Sequence, residues 1–435
     1  MKTNSATNAQ IAASDAKLST WLTANAGSGK TKVLIDRVAR LLLDGVQPEQ
    51  ILCLTYTKAA AAEMKNRLFD RLGKWAMLAD KELNFSLLEM GVHTQLGTEE
   101  LKKARTLFAR AIEVPGGLKI QTIHAFCASL LRKFPLEAGI SPQFRELDER
   151  GQRELYLKVL ELISKDKLTQ ESFEHFLKIA NASNWEEIIL KIVSKRHVFS
   201  KNKSRVEIFE AFNLNSNVSI DDDISAHFEQ NTLNLVRKIS DCLKKSSSKA
   251  DQKTARELTE IASINLASIQ LLEKIFLYGK SAKSPFTAKL GKFSTKEMRS
   301  SFLVHFMDDI DDFMVRLEHF RNRRLSYQAA EASLSIHKFA ETFLSVYKAQ
   351  KHIKSLLDFD DLIDITVNLL TTAEVADWVL YRLDGGIDHI LVDEAQDTSP
   401  SQWRVIETLA QELTSGQGAR SSKPRTIFVV GDRIA

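Results

Sequence analysis

Short apolar runs alternate with longer amphipathic stretches over the first third of the chain, and the same alternation returns near its end. Five runs read as strands: LSTWLTA (18–24), ILCLTYT (51–57), LKIQTI (118–123), IDHILVD (387–393) and RTIFVVGD (425–432). They are rich in β-branched and aromatic residues, end in small or polar residues, and lead into helical patterns. Fully apolar stretches such as IFVV lack in–out alternation and suit strands covered on both faces, as in parallel sheets. Strands alternating with helices over 18–134, 386–398 and 425–432 predict a doubly wound α/β fold around a parallel sheet. From about 143 to 355 the period becomes helical, as in RELYLKVLELI (153–163) and SLSIHKFAETFLSVY (333–347). That stretch predicts an all-helical domain inserted into the α/β core. Within it, DDD (221–223) and KKSSSKADQK (244–253) read as exposed loops and solvated charge. No internal repeat is evident.

Composition changes this picture little. At roughly 100–200 residues per domain, 435 residues suggest two to four domains. Apolar residues are 44% and charged residues 27%, which excludes a disordered, fibrous or disulfide-framework chain. A net charge of +4 is too mild to imply nucleic acid or an acidic partner. Residues 1–150 hold 21 basic and 16 acidic side chains, so any basic surface is expected there. Cys53, Cys127 and Cys242 form no ligand-like spacing, which argues against zinc and disulfides and for a reducing cytosol. The first twenty residues lack the apolar core of a signal peptide, and no run approaches the ~20 apolar residues of a membrane span. These features predict a cytoplasmic protein with no membrane partner.

Two segments carry chemistry. ANAGSGKT follows a strand-like run and precedes the helical VLIDRVARLLL. Small residues let backbone N–H groups wrap phosphates at a helix N-terminus, where the helix dipole also favours negative charge. Ala24, Asn25, Ala26, Gly27, Ser28 and Gly29 would form that loop. Lys30 would reach the β- and γ-phosphates, and the Thr31 hydroxyl would ligate Mg²⁺. The general pattern wants glycine where Ala24 stands. The second segment, HILVDEAQD (389–397), places Asp393 and Glu394 at the carboxyl end of an apolar run, the edge where α/β sheets bind ligands. Asp393 is placed to bind Mg²⁺, and Glu394 to orient and deprotonate an attacking water. Lys30 and Asp393 lie 363 residues apart (393 − 30), which agrees with a large insertion. Together they predict a P-loop NTPase that uses ATP and Mg²⁺.

The order of motifs resembles the ATP-binding half of superfamily 1 helicases of the UvrD/Rep/RecB type, in which alanine commonly takes the first position of the phosphate loop. DEAQD (393–397) looks like the group's DExQD motif, which adds Gln396 to the cofactor-binding set. LTYTKAAAAEM (54–64), TIHAFCASLL (122–131), LDFDDLI (357–363) and VVGD (429–432) resemble further motifs, and Gln10 with Ala13 resembles the segment that reads the adenine edge. The wording is closest to the AddA-type helicase–nuclease subunits of bacterial double-strand-break repair. The resemblance implies a RecA-like motor domain in two parts, 1–145 and 355–435, with an accessory domain called 1B at 146–354. It also implies 3′-to-5′ helicase activity on single-stranded DNA and double-stranded DNA ends, a nucleoid-associated location and an AddB-like partner subunit. Tyr56, Thr57, Thr122 and His124 stand where that family contacts DNA. From the residues alone, Tyr56 could instead be core and His124 a helix cap. Phe126 and Phe359 read as core, and Asp360 and Asp361 as residues that fix neighbouring loops.

Three departures stand out. Lys58 and Ala59 replace the family's Asn-Lys pair, and Ala435 stands where its motif III glutamine is expected. The second motor domain and the nuclease domain have no counterpart, which reads as a truncated or frameshifted product. The expectation is a chain that binds ATP, hydrolyses it slowly and unwinds nothing. The alternative is a non-catalytic module that binds nucleotide and single-stranded DNA.

Overall fold

The computed structural model describes the chain apart from residues 1–4, 24, 26–28, 93–96, 116, 182, 229, 373–374, 377, 380–381, 383–385, 415–423 and 433–435. It forms two compact units: Met1–Arg153 together with Lys351–Ala435, and the continuous segment Glu154–Gln350.

The described residues of the first unit include seven strands: β1 (Thr20–Thr23), β2 (Ile51–Thr55), β3 (Lys119–Thr122), β4 (Arg145–Glu146), β5 (Leu356–Leu357), β6 (His389–Val392) and β7 (Thr426–Gly431). Five of them make one sheet in the order β1-β7-β6-β2-β3, every pairing parallel. The short β4 and β5 pair with each other, also in parallel. Every residue of β2 and of β6 is buried, as their apolar runs predict for central strands with two covered faces. Successive residues point to opposite faces. Cys53, Leu391 and Phe428, aligned across β2, β6 and β7, meet the helices Lys30–Leu43, Lys58–Met77 and Thr98–Ile112. Leu54, Val392 and Val429 form the next row and face the helices Ile123–Lys133, Phe359–Thr371 and Pro400–Thr414. The carboxyl ends of the central strands are thereby level, which gathers the residues that follow them.

The second unit is helical, and its longest helix, Met307–Ile353, ends three residues inside the first. Its core is mainly aliphatic and holds a cluster of phenylalanines: Phe276 stacks on Phe293 at 4.5 Å and meets the edge of Phe313 at 5.3 Å. The loop reading fails for Asp221–Asp223 and holds in part for 244–253, where residues 244–248 connect two helices and 249–253 open the second. Asp221–Asp223 lie within the helix Ile220–His227, which Ser219 caps, and Asp223 is buried in an ion pair with Arg323. Asp251 lies in the helix Lys249–Thr259 and accepts hydrogen bonds from Ser246 (2.8 Å), Ser294 (3.0 Å) and Thr295 (2.9 Å). A run of charges shows its exposed members, but several of the partners that bury one of them lie 43 to 100 residues away.

Candidate functional site at the carboxyl edge of the sheet

The helix Lys30–Leu43 begins just beyond β1, with Gly29 as its N-cap at φ +85°. The backbone favours glycine there, and the space beside it is tight. The left-handed backbone disfavours any side chain, and a Cβ would come within 3.2 Å of the Gln10 amide nitrogen. Gly29 also supplies no side chain to cap the first turn, whose backbone N–H groups and helix dipole favour an anion. Asn25 is exposed and Thr31 half-buried, whereas Ala24, Ala26, Gly27 and Ser28 lie outside the described residues.

Asp393 follows β6, buried, its N–H donating to the Leu54 carbonyl at 2.9 Å. Burial first, and the neighbouring Glu394 second, push its carboxyl up to about 6. Glu394 itself sits at φ +53°, a left-handed conformation costly for a residue with a side chain. That turn aims its carboxylate along the sheet edge, where it accepts a hydrogen bond from the Gln396 amide. The Gln396 side-chain oxygen Oε1 accepts from the Asp432 backbone N–H at 2.8 Å, and the Asp432 carboxylate pairs with Lys30. One polar chain thus runs Glu394–Gln396–Asp432–Lys30 and joins segments up to 402 residues apart.

In the sequence, Asp432 stands only as the end of VVGD, with no role assigned to it. Its signal lies in the register, which pairs Thr23 with Gly431 and sets the β7 end beside the turn leading to Lys30. A Cβ on Gly431 would approach the Gln396 side-chain oxygen Oε1 to 3.2 Å, so the glycine lets the two segments close on each other. Among the described residues no three His, Cys, Asp or Glu side chains form a metal cage. The buried Asp393 carboxyl nevertheless offers an oxygen donor that fits a divalent cation, and the half-buried Thr31 offers a hydroxyl.

A second group lies at the ends of β2 and β3, where Thr55 and Thr122 are in register. Thr57 accepts from the Ala60 N–H (3.0 Å) and caps the helix Lys58–Met77. Thr122, buried, does the same for Ile123–Lys133 through the Ala125 N–H (3.2 Å). The cap is therefore Thr122 rather than His124. Tyr56 is 48% exposed and so is not core. The His124 ring lies 5.0 Å from that of Phe359, and burial lowers its pKa below the usual histidine value. Phe126 is buried, but Phe359 is 39% exposed, against the core reading. Phe359 is the first residue of its helix, and Leu362, Ile363 and Thr366 form the buried face instead. Asp358 caps that helix with Asp361 in a reciprocal box, and Lys351 bonds both carboxylates at 2.6 and 2.5 Å.

The arrangement is that of a parallel α/β protein with its candidate site on the carboxyl edge of the strands. More particularly, the chain belongs to the UvrD/REP helicase N-terminal domain family, whose model matches residues 4–205 and 178–433. It is similar to bacterial proteins named as ATP-dependent helicase/nuclease subunits of type A. The one from Ligilactobacillus salivarius is 24% identical over 97% of this chain and 34% of its own length. The Latilactobacillus sakei protein is 25% identical over 94% and 46%, and that of Desulforamulus reducens 26% over 94% and 33%. The chain thus spans about a third to just under half the length of the curated relatives it matches. No helix among the described residues is long and apolar enough to cross a membrane.

Proposed function

We propose that the first unit is the P-loop, RecA-like ATP-binding domain of an AddA-type, DNA-dependent ATPase motor, with the second unit as its 1B accessory domain. The polar chain Glu394–Gln396–Asp432–Lys30, with Gln10 beside Gly29, carries this reading: it collects at one edge a phosphate-binding lysine, a candidate base and a base-reading amide. The first turn of Lys30–Leu43 and the Lys30 ammonium bind the β- and γ-phosphates, and Lys30 exchanges Asp432 for them. Thr31 and Asp393 would hold Mg²⁺, which would neutralise charge on the phosphate oxygens. Glu394 accepts the proton of a water whose oxygen attacks the γ-phosphorus as the bond to the β,γ-bridging oxygen breaks, leaving ADP and phosphate. Gln396 fixes the Glu394 carboxylate for that task.

Single-stranded DNA is the partner we assign to the edge bearing Tyr56, Thr57, Thr122, His124 and Phe359, because exposed aromatics beside polar groups suit base stacking. The motif resemblance to AddA-type proteins extends this proposal to translocation from 3′ to 5′ at broken DNA ends with an AddB-like subunit. The test is MgATP binding and ATP turnover with and without single-stranded DNA. Turnover stimulated by DNA and reduced about 100-fold or more by Glu394→Gln supports the motor. Binding without turnover identifies a non-catalytic nucleotide- and DNA-binding module. Absence of MgATP binding overturns both.

A further inference from the structure

Arg37 is fully buried, and burial lowers its pKa to about 10, which leaves it charged at neutral pH. A buried guanidinium is costly unless its donors are used, and an aliphatic residue would fill the space without that cost. Three of its four hydrogen bonds go to one stretch of backbone, while its Nε has no partner among the described residues. Nη1 donates to the carbonyls of Ala13 (3.5 Å) and Asp15 (2.5 Å), and Nη2 to that of Leu18 and to the Thr426 hydroxyl (2.9 Å). The guanidinium also lies 4.8 Å over the Phe428 ring. One helical turn later, Arg40 donates to the Ile11 carbonyl (3.0 Å) and to the Ser14 hydroxyl (2.9 Å).

The gripped carbonyls belong to the end of the helix Ser5–Ala13 and the turn after it. Nine residues without a basic group in the last turn make a helix that is marginal alone, and cations at its carboxyl end supply what it lacks. This helix carries Gln10, whose amide nitrogen lies 3.2 Å from the point a Gly29 Cβ would occupy. A glutamine amide offers one donor and one acceptor, the complement of adenine N7 and N6–H₂, whereas guanine presents two acceptors there. Lys30, Thr31, Arg37 and Arg40 all stand on one helix. Its first turn faces the phosphates and its body holds the segment that bears the base reader.

We propose that Arg37 and Arg40 are positioning residues for base selection: by gripping residues 11–18 they set Gln10 at a fixed place relative to the phosphate turn. The inference rests on the nucleotide-site reading above.

The experiment measures affinities for MgATP, MgGTP and magnesium tripolyphosphate in wild type, Gln10→Ala, Arg40→Met, Arg37→Lys and the double variant Gln10→Ala/Arg40→Met. Tripolyphosphate reads the phosphate turn without a base. The expected result is an ATP-over-GTP preference that falls about tenfold in Gln10→Ala and nearly as far in Arg40→Met, with no further fall in the double variant. Tripolyphosphate affinity should stay within about twofold throughout, and Arg37→Lys should retain part of the preference. Arg40, only partly buried, keeps the test decisive if the Arg37 variant folds poorly. An unchanged preference in Arg40→Met while Gln10→Ala loses it, or additive losses, overturns the grip. An unchanged preference in Gln10→Ala overturns it as well and leaves the phosphate site standing. Failure of wild type to bind tripolyphosphate or MgATP fails the nucleotide reading itself.

Discussion

Two buried carboxylates, one in each unit, differ in how their charge is met. Glu273, in the helical unit, accepts from Arg324 on both oxygens, at 2.7 and 2.8 Å, with Arg321 at 3.6 Å. Asp393, in the sheet unit, is as deeply buried, yet among the described residues no cationic group lies within 4 Å of it. The nearby Lys30 is turned to Asp432 instead. The helical unit closes its charges on themselves: Asp223 on Arg323, Glu273 on Arg324, Asp251 on three hydroxyls. The sheet unit brings its polar groups to a strand edge, where α/β proteins meet ligands. A buried charge finished by its own fold belongs to architecture. One held at such an edge with its carboxyl pushed up to about 6 belongs to a site.

The largest effect is expected where a finished pair is broken. Arg324→Ala leaves Glu273 buried without its bidentate partner and should cost about 3–5 kcal/mol in urea unfolding. Replacing both residues by methionine should cost much less, because no charge is then stranded. A loss below about 1 kcal/mol for Arg324→Ala would show that Glu273 is not held as the contrast requires. The next effect is in the sheet unit and falls on binding. Lys30→Ala frees the partly exposed Asp432 at little cost in stability, but should weaken MgATP by at least about 1.5–3 kcal/mol. Unchanged affinity in calorimetry would remove Lys30 from the phosphate site.

What could be read from the chain follows the same division. The central strands were legible because ILCL and ILV are unbroken apolar runs, which suit a doubly covered strand. Lys30, Asp393 and Glu394 were legible because each sits in a short local pattern that fixes its place after a strand. The Lys30–Asp432 pair was not, since it depends on β1 and β7 lying side by side, and nothing local encodes that neighbour. Arg37 hid inside an amphipathic helix, where one arginine among apolar residues reads as a solvated position. Phe359 was misread because apolarity does not reveal that a residue opens its helix rather than faces the core. Asp251 was misread for the converse reason, two of its three hydroxyl partners coming from a distant segment.

The smallest effect is also the sharpest test, because its sign is opposite to that of Arg324→Ala. Asp393 has a folded-state pKa of about 6, against roughly 3.9 in the unfolded chain. Between those values the folded protein holds a proton that the unfolded chain has released, so stability falls as pH rises through the window and levels off above about 6. Asparagine keeps the shape and never ionises. Asp393→Asn should therefore match wild type near pH 4 and exceed it at pH 7.5, by on the order of 1–2 kcal/mol. Urea unfolding at several pH values checks this, and the difference between the two proteins cancels every titrating group not coupled to Asp393. With MgATP present the order should reverse, because ligand stabilises a folded state by its own affinity and the variant has lost a cation ligand. If Asp393→Asn is instead the less stable protein at pH 7.5 without nucleotide, Asp393 is a structural charge like Glu273, and the distinction between the two units fails at the residue on which it rests.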